Sequence, residues 1–237
     1  MKVEVYVVAY NEEVMLPYFI KHYQSSFPGC KIIVYDNRST DNTRRIANYY
    51  GCKIEDLFTG DKMNDFLHMF VKNHAWNEST ADWIFCLDAD EICDIRMSDL
   101  VKLDKQGINL VKFQGFEMFG DTYNPELCKE GCYSPGYSKP VLFKRECFQE
   151  IGFTPGAHSC NPVMNKGFEL TISEEQFYLF HHKWWNWHYG IGRARLLAAR
   201  QSEDNIKNGH SIHFAFPEEV HRKYYEDGME NKIVIKK

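Results

Sequence analysis

Asp82-Trp83-Ile84-Phe85-Cys86-Leu87-Asp88-Ala89-Asp90-Glu91 is the stretch on which the reading of the fold turns. Trp83 to Leu87 is a nearly unbroken apolar run, the signature of a strand covered on both faces of a parallel sheet. It ends at Asp88, Asp90 and Glu91. If the extended conformation persists, its period of two puts Asp88 and Asp90 on one side and Glu91 on the other. The C-terminal end of a strand in an open α/β sheet is where ligands bind, above all where strand order switches. Two aspartates there, with no cationic neighbour in sequence, repel each other unless a cation sits between them. Hard oxygen ligands favour Mg2+ or Mn2+, with a substrate diphosphate completing the shell. A solvated acidic turn is the plainer alternative, because Asp-x-Asp alone is a common pattern.

The sequence upstream favours the ligand site. Lys2 to Tyr10 reads as a strand ending at Asn11-Glu12-Glu13, followed by helical spacing through Leu16, Phe19, Ile20 and Tyr23. Lys31 to Tyr35 is a second strand ending at Asp36-Asn37, and Ser39 to Thr43 supplies caps for a helix that Gly51 stops. Cys52 to Phe58 forms a third strand. Asp61 is the expected cap of a helix in which Met63, Phe66, Leu67 and Phe70 recur. Alternating strands and helices predict a parallel sheet with right-handed crossovers. The polar clusters after each strand then converge on one sheet edge.

The second half is less regular. Leu110 to Phe116, Pro140 to Phe143 and Phe177 to Phe180 read as strands. Met118 to Asp121 opens a long loop, and Thr154 to Pro162 forms another. Arg193, Arg195 and Arg200 fall on one helix stopped by Asn208-Gly209, with a charged tail beyond; these arginines suit either an anionic ligand or a solvated helix face. The simplest organisation is one domain over 1–237, with a nucleotide-type half (1–91) and an acceptor-type half (92–237).

A chain of 237 residues with 44% hydrophobic content can bury a sizeable core, and its net charge of -5 excludes a nucleic-acid binder working by bulk charge. The eight cysteines lack framework spacing and follow no signal-peptide pattern. They read as reduced thiols, and the expected setting is cytoplasmic. Trp184, Trp185 and Trp187 suit an acceptor-sugar platform or, more simply, the core. No apolar run is long enough to span a membrane, though docking on a membrane surface is compatible with the sequence.

Taken together, these segments resemble the family-2-like glycosyltransferases with the GT-A fold, a Rossmann-like, mostly parallel sheet flanked by helices with a smaller acceptor-side subregion. The resemblance rests on Val8 to Glu13, Tyr35 to Thr43, Leu87 to Glu91, Met118 to Asp121, Pro155 to Pro162 and Leu179 to Lys183. It implies transfer of a sugar, UDP-linked by preference, from a nucleotide diphosphate to a hydroxyl of a glycan or glycoprotein, with Mn2+ or Mg2+ as cofactor. Ala9, Tyr10, Asn11 and Asp36 would hold base and ribose, Asp88 the ribose or metal, and Asp90 the metal. His181 would approach the metal from the far side, with His182 standing where Tyr is more usual. Lys139 would touch the diphosphate; Lys72 reads more simply as a surface lysine.

An inverting reaction also needs a base. Many relatives carry an acid where this chain has His158-Ser159, so His158 and Asp121 are the two candidates. A sugar nucleotidyltransferase is a rival, but Ala9 to Glu13 lacks its Gly-rich basic loop. A non-catalytic glycan-binding module is another, and it leaves Asp88 and Asp90 unexplained.

Overall fold

The alternation of strand and helix holds through Asp88 in the computed structural model, which describes residues 1–235; residues 236 and 237, the end of the charged tail, lie outside the described residues. In chain order come β1 (Val3–Ala9), α1 (Leu16–Ser26), β2 (Lys31–Asp36), α2 (Thr43–Tyr49), β3 (Lys53–Asp56), α3 (Asp65–His74) and β4 (Trp83–Asp88). The four strands pair in parallel in the order β3-β2-β1-β4. The chain steps outward from β1 to β3, then returns to β4 on the other side of β1. Right-handed crossovers therefore put α1 and α2 on one face and α3 on the other. This explains the apolar run at β4, where Trp83, Ile84, Phe85, Cys86 and Leu87 are all fully buried. It also places the reversal of strand order between the ends of β1 and β4, where Val8 is level with Asp88.

The remaining elements are β5 (Glu91–Asp94), α4 (Met97–Lys105), β6 (Leu110–Val111), β7 (Gln114–Phe119), β8 (Glu130–Tyr133), β9 (Leu142–Lys144), β10 (Phe148–Glu150), β11 (Val163–Met164), β12 (Tyr178–Trp184), α5 (Trp187–Ala199), α6 (Glu203–Asn208), α7 (Glu218–Asn231) and β13 (Ile233–Val234). β9 and β6 extend the first sheet beyond β4. A second sheet, in the order β13-β8-β7-β12-β5, starts directly from the Asp88–Glu91 turn. Asp88 ends one sheet and Glu91 begins the other, so the extended continuation expected through this stretch is replaced by a turn.

Other expectations are corrected in the same physical terms. The run from Leu110 to Phe116 is two strands in two sheets, divided where the Phe113 N–H donates to the Lys139 carbonyl at 2.9 Å. Apolar content is continuous across the division, so hydropathy does not reveal it. Asn64, not Asp61, caps α3: its Oδ1 accepts from the Leu67 N–H at 3.1 Å, while Asp61 takes a left-handed conformation with φ 60°. The expected arginine helix is two helices. Met63 N–H donates to the Arg200 carbonyl at 2.5 Å and Ser202 N–H to the Met63 carbonyl at 3.1 Å, drawing the chain out of the helix between them.

Gly115 on β7 lies under the backbone of the Ser134–Ser138 loop, and a Cβ there would stand 2.1 Å from the Tyr137 carbonyl carbon. Overpacking of this kind costs about 1–3 kcal/mol. Gly115→Ala is expected to lower the thermal midpoint by roughly 2–10 °C. Gly136→Ala serves as the control, since a Cβ at Gly136 meets only the Ser134 Oγ, at 4.0 Å. Equal midpoints for the two variants in a thermal melt contradict the packing argument.

Candidate active site

A cavity of about 410 Å³ opens where β1 and β4 end, between α3, the loop carrying His158, the end of β12 and the segment after α6. This is the crevice that a reversal of strand order leaves in a doubly wound sheet. Ala9, Tyr10, Asp88, Asp90, Lys139, His158 and His181 all line it; Asn11, Asp36 and Asp121 do not.

Asp88 sits between two lysines that sequence neighbours gave no hint of. Lys72 Nζ is 2.7 Å from Oδ1 and Lys139 Nζ 3.6 Å from Oδ2. Lys139 also meets the fully buried Glu91 at 2.5 Å, and Glu91 accepts the Asp88 N–H at 2.9 Å. Lys72 is only 3% exposed, so the surface-lysine reading is wrong: its helix turns it inward onto Asp88. Burial alone would raise the Asp88 carboxyl, but Lys72 and Lys139 outweigh it and hold it at about 2. Burial likewise opposes the Lys139 charge, and Glu91 and Asp88 reverse that effect.

Asp90, two residues on, faces a different set. His181 Nε2 is 3.3 Å from Asp90 Oδ2, and His181 Nδ1 is 2.8 Å from Oε1 of the buried Glu117. The β12–β7 register makes this contact, since His181 lies level with Glu117. The imidazole stacks on Tyr137 at 3.8 Å between centroids. Burial would lower the His181 pKa, but Glu117 and Asp90 raise it to about 10. Burial opposes the Asp90 charge too; His181 overcomes it and keeps the carboxyl far below the ordinary range. His182 faces the other way, into a separate cavity with Met15 and His22.

The donor set of Asp90 and His181 fits a divalent cation. Two ligands each about 2.1 Å from one octahedral ion stand about 3 Å apart, close to the separation observed. Glu117 behind Nδ1 completes the carboxylate–histidine pairing that fixes the tautomer of a metal ligand. Among the described residues no group of three or more His, Cys, Asp or Glu could hold a metal by itself. A cation here would need oxygens from a substrate diphosphate or water. Glu117→Gln is expected to weaken Mn2+ binding about 10–100-fold, read by electron paramagnetic resonance titration with nucleotide present. Unchanged affinity would show that Glu117 only fills space.

The base-and-ribose candidates divide. Ala9 and Tyr10 reach the cavity, and the Arg200 guanidinium lies 3.2 Å from the Tyr10 ring centroid. Asn11 instead accepts the Thr40 N–H at 2.8 Å and braces the two loops. Asp36 is fully buried, taken up by Arg44 at 2.9 Å and by the Ser39 N–H. Arg193 ties the same corner: it pairs with Glu12 and donates to the Tyr10 and Asn11 carbonyls at 3.0 and 3.1 Å. Arg195 is exposed and pairs with Glu218. Trp184 and Trp185 are buried.

Of the two candidate bases, only His158 reaches the cavity. Its Nδ1 is 2.5 Å from the Gly136 carbonyl, which accepts only from a protonated Nδ1 and so leaves Nε2 with the lone pair. Burial and then Lys139 lower its pKa. Asp121 is exposed beside Asn186.

Two residues escaped the sequence reading: Glu117, buried behind His181, and Lys183 in the cavity wall. Glu117 is a single acid inside the apolar run Phe116 to Phe119, a pattern that signals a buried partner. Lys183 lies two residues past His181, on the same strand face. It is buried, its Nζ lies 4.3 Å from the Phe214 ring centroid, and burial pushes its ammonium down to about 8.

A reversed-order parallel sheet feeding a second sheet through an acidic turn defines the GT-A glycosyltransferase fold. The chain belongs to glycosyl transferase family 2, whose model matches residues 4–168. Among solved structures it is similar to TarS of S. aureus, with TM-score 0.51 and 17% identity over 84% of this chain and 39% of that one. Residues 1–349 of S. aureus TarS in complex with UDP-GlcNAc give 0.47 and 15% over 84% and 66%. Glucosyl-3-phosphoglycerate synthase from Mycobacterium tuberculosis, in complex with Mn2+, UDP and glucosyl-3-phosphoglycerate, gives 0.43 and 20% over 66% and 62%. The chain therefore spans less than two thirds of the length of these neighbours. No curated protein matches it significantly. Among the described residues no helix is long and apolar enough to cross a membrane.

Proposed function

We propose that the chain moves a sugar from a nucleoside diphosphate-sugar, UDP-linked by preference, to a hydroxyl of a glycan or glycoprotein, with inversion and with Mn2+ or Mg2+ held at Asp90 and His181. The observation that carries this reading is the approach of Asp90 Oδ2 to His181 Nε2 at 3.3 Å, at the switch in strand order. A bound cation would supply Lewis-acid stabilisation of the departing diphosphate. Ala9 and Tyr10 border the space for the nucleoside. Lys72 and Lys139 keep Asp88 ionised and fixed, so that its oxygens face the ribose or the cation. His158 Nε2 takes the proton of the acceptor hydroxyl as that oxygen attacks the anomeric carbon opposite the diphosphate. The bond from that carbon to the phosphate oxygen breaks, and its electron pair leaves on the diphosphate. A single in-line displacement of this kind inverts the anomeric centre.

The reading is tested by slow donor hydrolysis across UDP-, GDP- and dTDP-sugars, following nucleoside diphosphate release with Mn2+ or with chelator. Release from one nucleotide class, present only with metal, is expected. Release that ignores the chelator would remove the metal from the account.

A further inference from the structure

Five lysine and arginine side chains line the cavity, and their carboxylate partners are unequally shared. Lys72 has Asp88 at 2.7 Å, Lys139 has Glu91 at 2.5 Å, and Arg193 has Glu12. Arg200 has no carboxylate partner among the described residues, but its guanidinium is engaged by the Tyr10 ring and by the Asp61 carbonyl at 3.3 Å. Lys183 differs from all of these. It is only 6% exposed, and its ammonium touches the rings of Phe214 and Trp184 at 4.3 and 5.2 Å from their centroids. Among the described residues no carboxylate, carbonyl or hydroxyl meets it.

A buried ammonium without a counter-ion is costly, and burial of such a group is ordinarily offset by pairing. Lys183 lines the cavity beside His181, on the same strand face, so an anion in the cavity is the partner within its reach. We propose that Lys183 binds a terminal oxygen of the nucleotide's diphosphate and stabilises the charge that appears there on transfer; this rests on the nucleotide-sugar reading above. When the bond from the anomeric carbon to the phosphate oxygen breaks, its electron pair stays on that oxygen and the diphosphate gains one negative charge. Lys72, Lys139 and Arg193 act on this change with fields already offset by their own carboxylates. Lys183 has no carboxylate in direct contact among the described residues, and Glu117 and Asp90 act on it only at longer range, so more of its charge is left to favour the departing diphosphate over the intact donor. An interaction stronger at the transition state than in the ground state is one that accelerates the step.

The test is calorimetric binding, with Mn2+ present, of UDP, a UDP-sugar and UMP to wild type, Lys183→Met and Lys183→Arg; if another donor class is the one hydrolysed, its nucleotides replace these. Methionine fits the buried site without a charge, so the variant is expected to fold, and thermal melts check this. The expected result is a loss of roughly 10–100-fold for the diphosphate in Lys183→Met, the scale of one charge-assisted hydrogen bond. The sugar-linked donor loses less, the monophosphate changes less than about two-fold, and Lys183→Arg recovers part of the loss. Unchanged diphosphate affinity in Lys183→Met overturns the assignment, as does an equal loss for all three ligands, which would make the role structural. If wild type binds no nucleoside diphosphate of any class, the nucleotide-sugar reading itself falls, and this inference with it.

Discussion

Asp90→Ala is expected to lower kcat/KM by roughly a thousand-fold in initial-rate assays at saturating Mn2+, because the Lewis-acid contribution of a bound cation is several kcal/mol. The loss should not be recovered by added metal. Asp90 and His181 are the pair proposed to hold the cation, and without Asp90 the His181 ring would be left facing a methyl group. The fold should survive: Glu117 still holds His181 Nδ1 at 2.8 Å, and Tyr137 still covers its ring. Asp121→Ala is the comparator, an exposed acid outside the cavity, and near-wild-type rates are expected of it. Asp90→Ala with more than a tenth of the wild-type rate would contradict the role given to the acidic turn.

His158→Ala is the second large effect. A positioned general base contributes about 10²–10⁴-fold, so kcat should fall by that amount while donor affinity stays close to wild type. The pH profile carries the sign. His158 acts as a base only when deprotonated, and burial together with Lys139 lowers its pKa. The active form is therefore retained through neutral pH. In kcat/KM the acid limb should fall away only below about 6.5, the ordinary imidazole value, and His158→Ala should lose that limb along with the rate. A large loss in Asp121→Asn with His158→Ala unaffected would transfer the role to the exposed acid. It would also require the Asp121 loop to move into the cavity.

The first half of the fold was legible because each element announces its own period. β4 is an unbroken apolar run up to Asp88 and β1 is one interrupted only by Glu4, and the helices between them recur at three and four residues. That alternation predicts a parallel sheet with its polar strand ends on one edge; the switch in strand order, which places the cavity between β1 and β4, is seen only in the folded chain. The site was legible where its residues come from strand ends: Ala9, Tyr10, Asp88 and Asp90 meet at one edge as expected. It was illegible where side chains from distant segments compete for them. Nothing near Asp88 in sequence reveals Lys72 and Lys139, and nothing near Asp36 reveals that Arg44 and the Ser39 N–H take up its oxygens. Glu117 and Lys183 stayed hidden for a related reason. Their meaning depends on how β7 and β12 lie side by side, and register between two strands so far apart in sequence is set by tertiary packing.

Calorimetric titration of a UDP-sugar into the wild-type protein, with Mn2+ and then with the metal chelated, tests the central claim most directly. The account predicts that binding depends on the metal, because Asp90 and His181 alone offer too few ligands to hold a cation that the diphosphate does not help to bind. Equal affinity with and without metal, across UDP-, GDP- and dTDP-sugars, would show that the Asp90–His181 pair is an internal ion pair and not a metal site.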